Sequence, residues 1–168
     1  MQWRRKISLH CAFFIPRSQI ASGKVNRVEE LLAYAYLIRA GFHFEEALAK
    51  RIDELYMAHP DDRDLAELEW ISGDLKETLY YIFARVNNDD IDREKFGKAL
   101  MELIKPFYQS MEIHDFAKAS GLLGSYLPAD LYDEKPFCYL HFADEPLAWD
   151  DVKQTRRLYG EMLNYYEN

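Results

Sequence analysis

Residues 64–86, DLAELEWISGDLKETLYYIFARV, decide how the chain is read. Leu65, Leu68, Ile71, Leu75, Leu79, Ile82 and Val86 recur at steps of three and four, the spacing of one face of an α-helix. At about 100° per residue, all seven fall within an arc of roughly 120°. Trp70 and Tyr81 lie on nearly the opposite side, with Gly73, Glu77 and Ala84 beside them, so the far side is not simply solvated. A helix apolar on one side and aromatic on the other is either sandwiched inside a fold or offers its second face to a partner. Gly73 complicates this, because a glycine inside a helix costs about 1 kcal/mol relative to alanine. Asp74 with Glu77 also reads as an N-cap with a capping box. The apolar arc nevertheless keeps its phase across the glycine. The spacing therefore predicts one helix, kinked at Gly73, with the rest of the chain organised around it; two helices are the alternative.

Outward from this stretch, helical signals dominate. Upstream, Asn26 and Glu29 fit a capping box, Val28, Leu31, Leu32, Ala35 and Ile38 share a face, and Gly41 suits a helix stop. Residues 45–58 repeat the pattern with Ala47, Leu48, Ile52, Leu55 and Tyr56 and end before Pro60, so the two form an antiparallel pair. Downstream, NNDD at 87–90 reads as a loop. Asp92 caps a helix carrying Phe96, Leu100, Leu103, Ile104 and Phe107, which Pro106 kinks or ends. A short helix over 113–120 closes at Gly121, and 122–149, with Pro128, Pro136 and Pro146, is irregular. Asp150 or Asp151 caps a last helix with Val152, Tyr159, Met162, Leu163 and Tyr166 along one side. Residues 1–16 fit a helix or a strand; as a strand they would pair with 137–142, FCYLHF. Both segments hold aromatic apolar runs, so the N-terminal segment is expected to pack on the C-terminal half. The expected fold is an all-α, or nearly all-α, single domain over 1–168, a bundle or array of six or seven helices with at most that small β element.

Composition agrees. The chain has 168 residues, 49% of them hydrophobic and 15% aromatic, with only seven glycines and six prolines. That is enough to bury a core without staples, and it argues for helices over a loop-rich sandwich. The net charge of −8 disfavours a nucleic-acid backbone as ligand and favours a basic protein partner. Acids concentrate late: residues 1–30 carry six Lys/Arg against two Asp/Glu, whereas 61–168 carry twelve against twenty-three. Cys11 and Cys138 form no CxxC and read as buried thiols of a reducing compartment. No run approaches the roughly 20 apolar residues of a membrane span. The opening WRRK, ISLHCAFFI and IASG imitate a signal peptide, but His10 interrupts the apolar run. The segment is expected to belong to the fold, and the protein to be cytoplasmic.

Two other functional patterns rank below the preferred one. Gly41 with Glu45, Glu46 and Ala47, followed by His59, Pro60, Asp61 and Asp62, resembles half of a tetratricopeptide unit, echoed at Gly73, Asp74 and Glu77. The small residue that the family needs later falls on Glu54 and Arg85 instead. Such a repeat implies an adaptor that binds a peptide. Glu112, His114 and Asp115 with His141, Asp144 and Glu145 have the donor types for a divalent metal, should the two segments meet, and would imply a metal-dependent enzyme. No GxSxG elbow, P-loop or HExxH pair is present, and SGLLGS at 120–125 has no lysine. No cofactor is expected.

The preferred expectation is a non-catalytic protein-binding role, that of an inhibitor or immunity-type protein occluding a basic toxin or nuclease. Its candidate interface is Asp61, Asp62, Asp64, Glu67, Trp70, Glu77 and Tyr81, acids interleaved with aromatics.

Overall fold

The computed structural model describes residues 28–85 and 91–167. Within them lie eight α-helices: α1 Val28–Arg39, α2 Glu45–Ala58, α3 Arg63–Ile71, α4 Leu75–Arg85, α5 Arg93–Ser110, α6 Ile113–Tyr126, α7 Tyr139–Phe142 and α8 Val152–Leu163. Short 3₁₀ turns occupy Ala129–Leu131, Glu145–Trp149 and Tyr165–Glu167. No strand occurs among the described residues. The all-α class stands, with one helix more than the expected six or seven. Residues 1–16, the Asn26 cap, Val86 and the NNDD loop lie outside the described residues.

The helix at the centre is α1, not the 64–86 stretch. It packs against α2, α4, α5 and α6, and Leu31, Leu32, Ala33, Ala35, Tyr36 and Leu37 are all buried. Six buried positions in one run of seven leave little of this helix for solvent, so only a surrounded position suits it. Its C-terminus closes as a Schellman motif. Gly41 takes φ 92°, its N–H donates to Ile38 O at 3.0 Å, and the Phe42 N–H donates to Leu37 O at 3.0 Å. Phe42 then tucks into the core, and α2 follows. Arg51 on α2 returns to α1 with a two-pronged bond to Glu30 (2.8 and 3.0 Å). Its third nitrogen reaches Glu54 at 2.9 Å.

The packing differs from a solenoid's, in which each unit touches only its neighbours: α1 meets α5 and α6, more than fifty residues further on. Buried side chains from all eight helices form one connected cluster.

Several boundaries differ from expectation. The helix begun at Arg93 runs through Pro106 to Ser110, capped by Asp92, whose carboxylate accepts from Lys95 N. Gly121 does not stop α6, which continues to Tyr126. Gly124 permits close approach there: a Cβ would stand 2.8 Å from His141 Cε1 and 3.2 Å from Leu140 Cβ. Residues 137–142 therefore form a turn and the short α7 packed on α6, with Phe137, Tyr139 and Leu140 buried. That apolar run is covered by α5 and α6, which removes the need for a β partner. Asp151, not Asp150, caps α8, accepting from Gln154 N at 3.0 Å. Cys138 is half-buried rather than buried, and burial pushes its thiol up; Cys11 lies outside the described residues.

Candidate docking face on the α3–α4 hairpin

The 64–86 stretch is two helices. Asp62 caps α3, accepting from Asp64 N at 2.9 Å and Leu65 N at 3.3 Å. At the break, Ser72 Oγ donates to Glu69 O at 2.8 Å, and the Asp74 carboxylate accepts from Glu77 N at 3.1 Å. Thr78, buried in α4, donates to Ile71 O at 3.0 Å and Asp74 O at 2.8 Å. Side chains on both sides of Gly73 thus satisfy carbonyls that an unbroken helix would have bonded itself. Apolar phase lost to local capping. Its consequence is visible in the arc: Leu65, Leu68 and Ile82 are buried, Ile71 and Leu79 half-buried, and Leu75 exposed.

The break brings part of the candidate interface together in an unforeseen way. Tyr81 Oη lies 3.1 Å from both Asp64 Oδ1 and Glu67 Oε2. Arg85, one turn on, reaches the same carboxylates at 3.3 and 3.6 Å and lies 4.8 Å from the centre of the Tyr81 ring. Burial above all, then the charge of Asp64, holds the Tyr81 hydroxyl well above the ordinary phenol range, while Arg85 opposes. Tyr81 packs on the core through its ring. Asp64, Glu67, Tyr81 and Arg85 therefore form a clasp between α3 and α4, with two acids already engaged. Asp62 is engaged as the cap.

The remaining three residues point outward. Asp61 and Glu77 are exposed, and Trp70 is 86% exposed. On α3, Trp70 stands about 170° from the mean direction of Leu65 and Leu68. The exposed aromatic of α4 is Tyr80, at 76%, rather than Tyr81. Met57 and Leu75 add exposed apolar surface, so four of the eight large exposed hydrophobic side chains among the described residues fall between 57 and 80. The segment that carries them is acidic: residues 45–85 hold eleven Asp/Glu against five Lys/Arg, about twice the net negative density of residues 91–167. Sequence reasoning missed Tyr80 because it followed the phase of one long helix. Thr78, which α4 buries together with Ile82, was hidden among leucines.

The metal constellation does not assemble. His141 stacks on Tyr132 (ring centroids 3.4 Å apart, 16° between planes) and lies against Gly124; burial lowers its pKa. His114 is exposed ten residues earlier on the same helix, about 15 Å along its axis. Among the described residues no three His, Cys, Asp or Glu side chains gather to hold a metal ion. No described helix is long and apolar enough to cross a membrane. No family model, curated protein sequence or solved structure matches the chain.

Proposed function

We propose that the outer side of the α3–α4 hairpin is a docking face for a basic protein, and that the chain acts in the cytoplasm as a small non-catalytic binding protein. The observation that carries this is Trp70. A position opposite the buried face of a surface helix is ordinarily polar, yet here it holds the largest side chain available, 86% exposed. Trp is the side chain most enriched among residues that dominate binding energy. The acidic surround would steer a cationic partner and set its orientation. Occlusion of a basic toxin or nuclease fits that size and charge by analogy.

The test is kinetic. A basic protein encoded beside the gene for this chain is the first partner to try. Trp70→Ala should leave the melt unchanged and raise the off-rate by about 30-fold, the scale of a 2 kcal/mol hot spot. Asp61→Asn, Asp74→Asn and Glu77→Gln together should lower the on-rate and flatten its salt dependence. Asp64 and Glu67 are the wrong acids to change, because Arg85 holds them. A Trp70→Ala chain that binds like the parent overturns the proposal.

A further inference from the structure

The α3–α4 hairpin already shows how this chain receives an arginine. Arg85 Cζ lies over the Tyr81 ring, 4.8 Å from its centre, while its nitrogens reach Asp64 Oδ1 at 3.3 Å and Glu67 Oε2 at 3.6 Å. One guanidinium is thus held by an aromatic ring of α4 and two carboxylates of α3 at once. Its shape makes that possible: a planar guanidinium lies on a ring and donates sideways from its edge, whereas an ammonium is a compact, strongly hydrated point charge. The outer side of α3 offers the same two ingredients again. Trp70, 86% exposed, presents an indole, the ring that attracts cations most strongly. Among the described residues no Lys or Arg lies over it. Glu67 stands three residues earlier on α3, a surface neighbour at that spacing. Its Oε2 serves the inner clasp, accepting from Tyr81 Oη and facing Arg85. Its Oε1 accepts from no described residue, and 56% of the side chain is exposed. The clasp therefore fixes a carboxylate beside the indole and leaves one oxygen open.

We infer that the group seated on Trp70 is an arginine side chain of the partner, with its guanidinium on the indole and an N–H edge toward Glu67 Oε1. This rests on the docking-face proposal above and narrows the partner from a basic protein to one that presents an arginine at the contact. A lysine would meet the negative charge of the segment, but it cannot lie along the ring and donate from its edge to the carboxylate together. An indole left so bare is a platform for a flat cation rather than the floor of an apolar socket.

The decisive experiment uses the full chain and two fluorescent probe peptides of equal length, one alternating arginine with glycine and one alternating lysine with glycine. Their charges match, so the general attraction of a chain of net charge −8 is the same for both. Fluorescence anisotropy should show the arginine peptide bound about fivefold more tightly than the lysine peptide. Trp70→Phe keeps an aromatic face and should keep part of that preference. Trp70→Leu keeps apolar bulk without the face and should bring the two affinities to about the same value. Trp149→Leu, which removes another exposed tryptophan, should leave the preference as it is in the parent. Thermal melts of all three variants should match the parent, since both tryptophans are largely free of the core. Equal affinity of the parent for the two peptides overturns the inference, as does a preference that survives Trp70→Leu or disappears in Trp149→Leu. The two proposals fail separately. If Trp70→Leu holds the basic partner as the parent does while Trp70→Ala releases it, the docking face stands and the arginine is wrong; if Trp70→Ala also binds like the parent, both are wrong.

Discussion

Replacing Gly97 by alanine should destabilise the protein although it improves the helix, and removing Tyr166 should reverse the effect. Gly97 is buried in the second turn of α5, where alanine is favoured over glycine by about 1 kcal/mol. A Cβ built there would stand 2.1 Å from Tyr166 Oη, 2.8 Å from Tyr166 Cζ and 3.0 Å from Phe137 Cζ. Ordinary carbon contacts need about 3.5 Å or more. Phe137 cannot yield far: it is buried and stacked on Phe96, ring centroids 5.8 Å apart. The Tyr166 ring must therefore leave its slot. An aromatic side chain buries about 150–250 Å² when enclosed. Losing roughly 80 Å² of that at 25 cal/mol per Å² costs about 2 kcal/mol. The net penalty is then about 1 kcal/mol, or a fall in Tm of about 2–4 °C for a chain of this size. In a Tyr166→Ala background the clash is gone and only the Phe137 contact remains, so Gly97→Ala should be neutral or stabilising by up to about 1 kcal/mol. Urea melts of the four proteins give the coupling directly, expected at about 1–2 kcal/mol. Gly97→Ala stabilising the full chain would refute this account, as would an equal penalty in both backgrounds.

Three further expectations concern stability. Thr78→Val, which removes the donor joining Ile71 O and Asp74 O, should cost about 1–2 kcal/mol and shift the urea midpoint without changing the slope; an unshifted midpoint would show that the break needs no such bridge. Leu32→Ala, at the buried centre of α1, should cost about 2–5 kcal/mol, and the half-buried Leu79→Ala about 1 kcal/mol; equal costs would restore the 64–86 stretch as organiser. Alkali should unfold the protein early. Burial pushes the Tyr166 phenol up to about 12 and raises Tyr36, Tyr81 and Tyr159 as well. The folded state holds these protons more tightly than the unfolded chain, so their contribution is complete below about pH 10 and is lost as pH rises toward 12. Urea midpoints read beside tyrosinate absorbance from about pH 8 upward test this, and a midpoint constant past pH 11 would contradict it.

Periodicity made most helices legible because their caps are local. The Gly41 stop, the Asp92 cap and the bounds of α2 need only neighbouring residues, and these matched. What failed was decided by distant contacts. Nothing near Gly124 in sequence reveals that α7 will lean on α6, so the helix read as ending at Gly121 although it runs on to Tyr126, with Gly124 leaving room for His141. The seven-residue arc of the 64–86 stretch was real as a pattern, yet Ser72, Asp74 and Thr78 bond across the glycine and divide it. The candidate interface was half legible for the same reason. The sequence shows the acids and Trp70 close together along the chain, but only the fold shows that Arg85 and Tyr81 hold Asp64 and Glu67 and that Tyr80 is exposed.

The central place of α1 sets a schedule for the molecule's birth. Its apolar sides emerge from the ribosome early, yet α5, its largest neighbour, is finished only at Ser110, some seventy residues after Arg39. At translation rates of about 5–20 residues per second, that is roughly 4–14 seconds of waiting. Through that interval the most buried helix of the finished protein has only α2 and, later, α4 to cover it. The nascent chain is therefore stickiest while its first half alone is outside the tunnel, and synonymous codons that slow synthesis between 86 and 110 should lower its soluble yield.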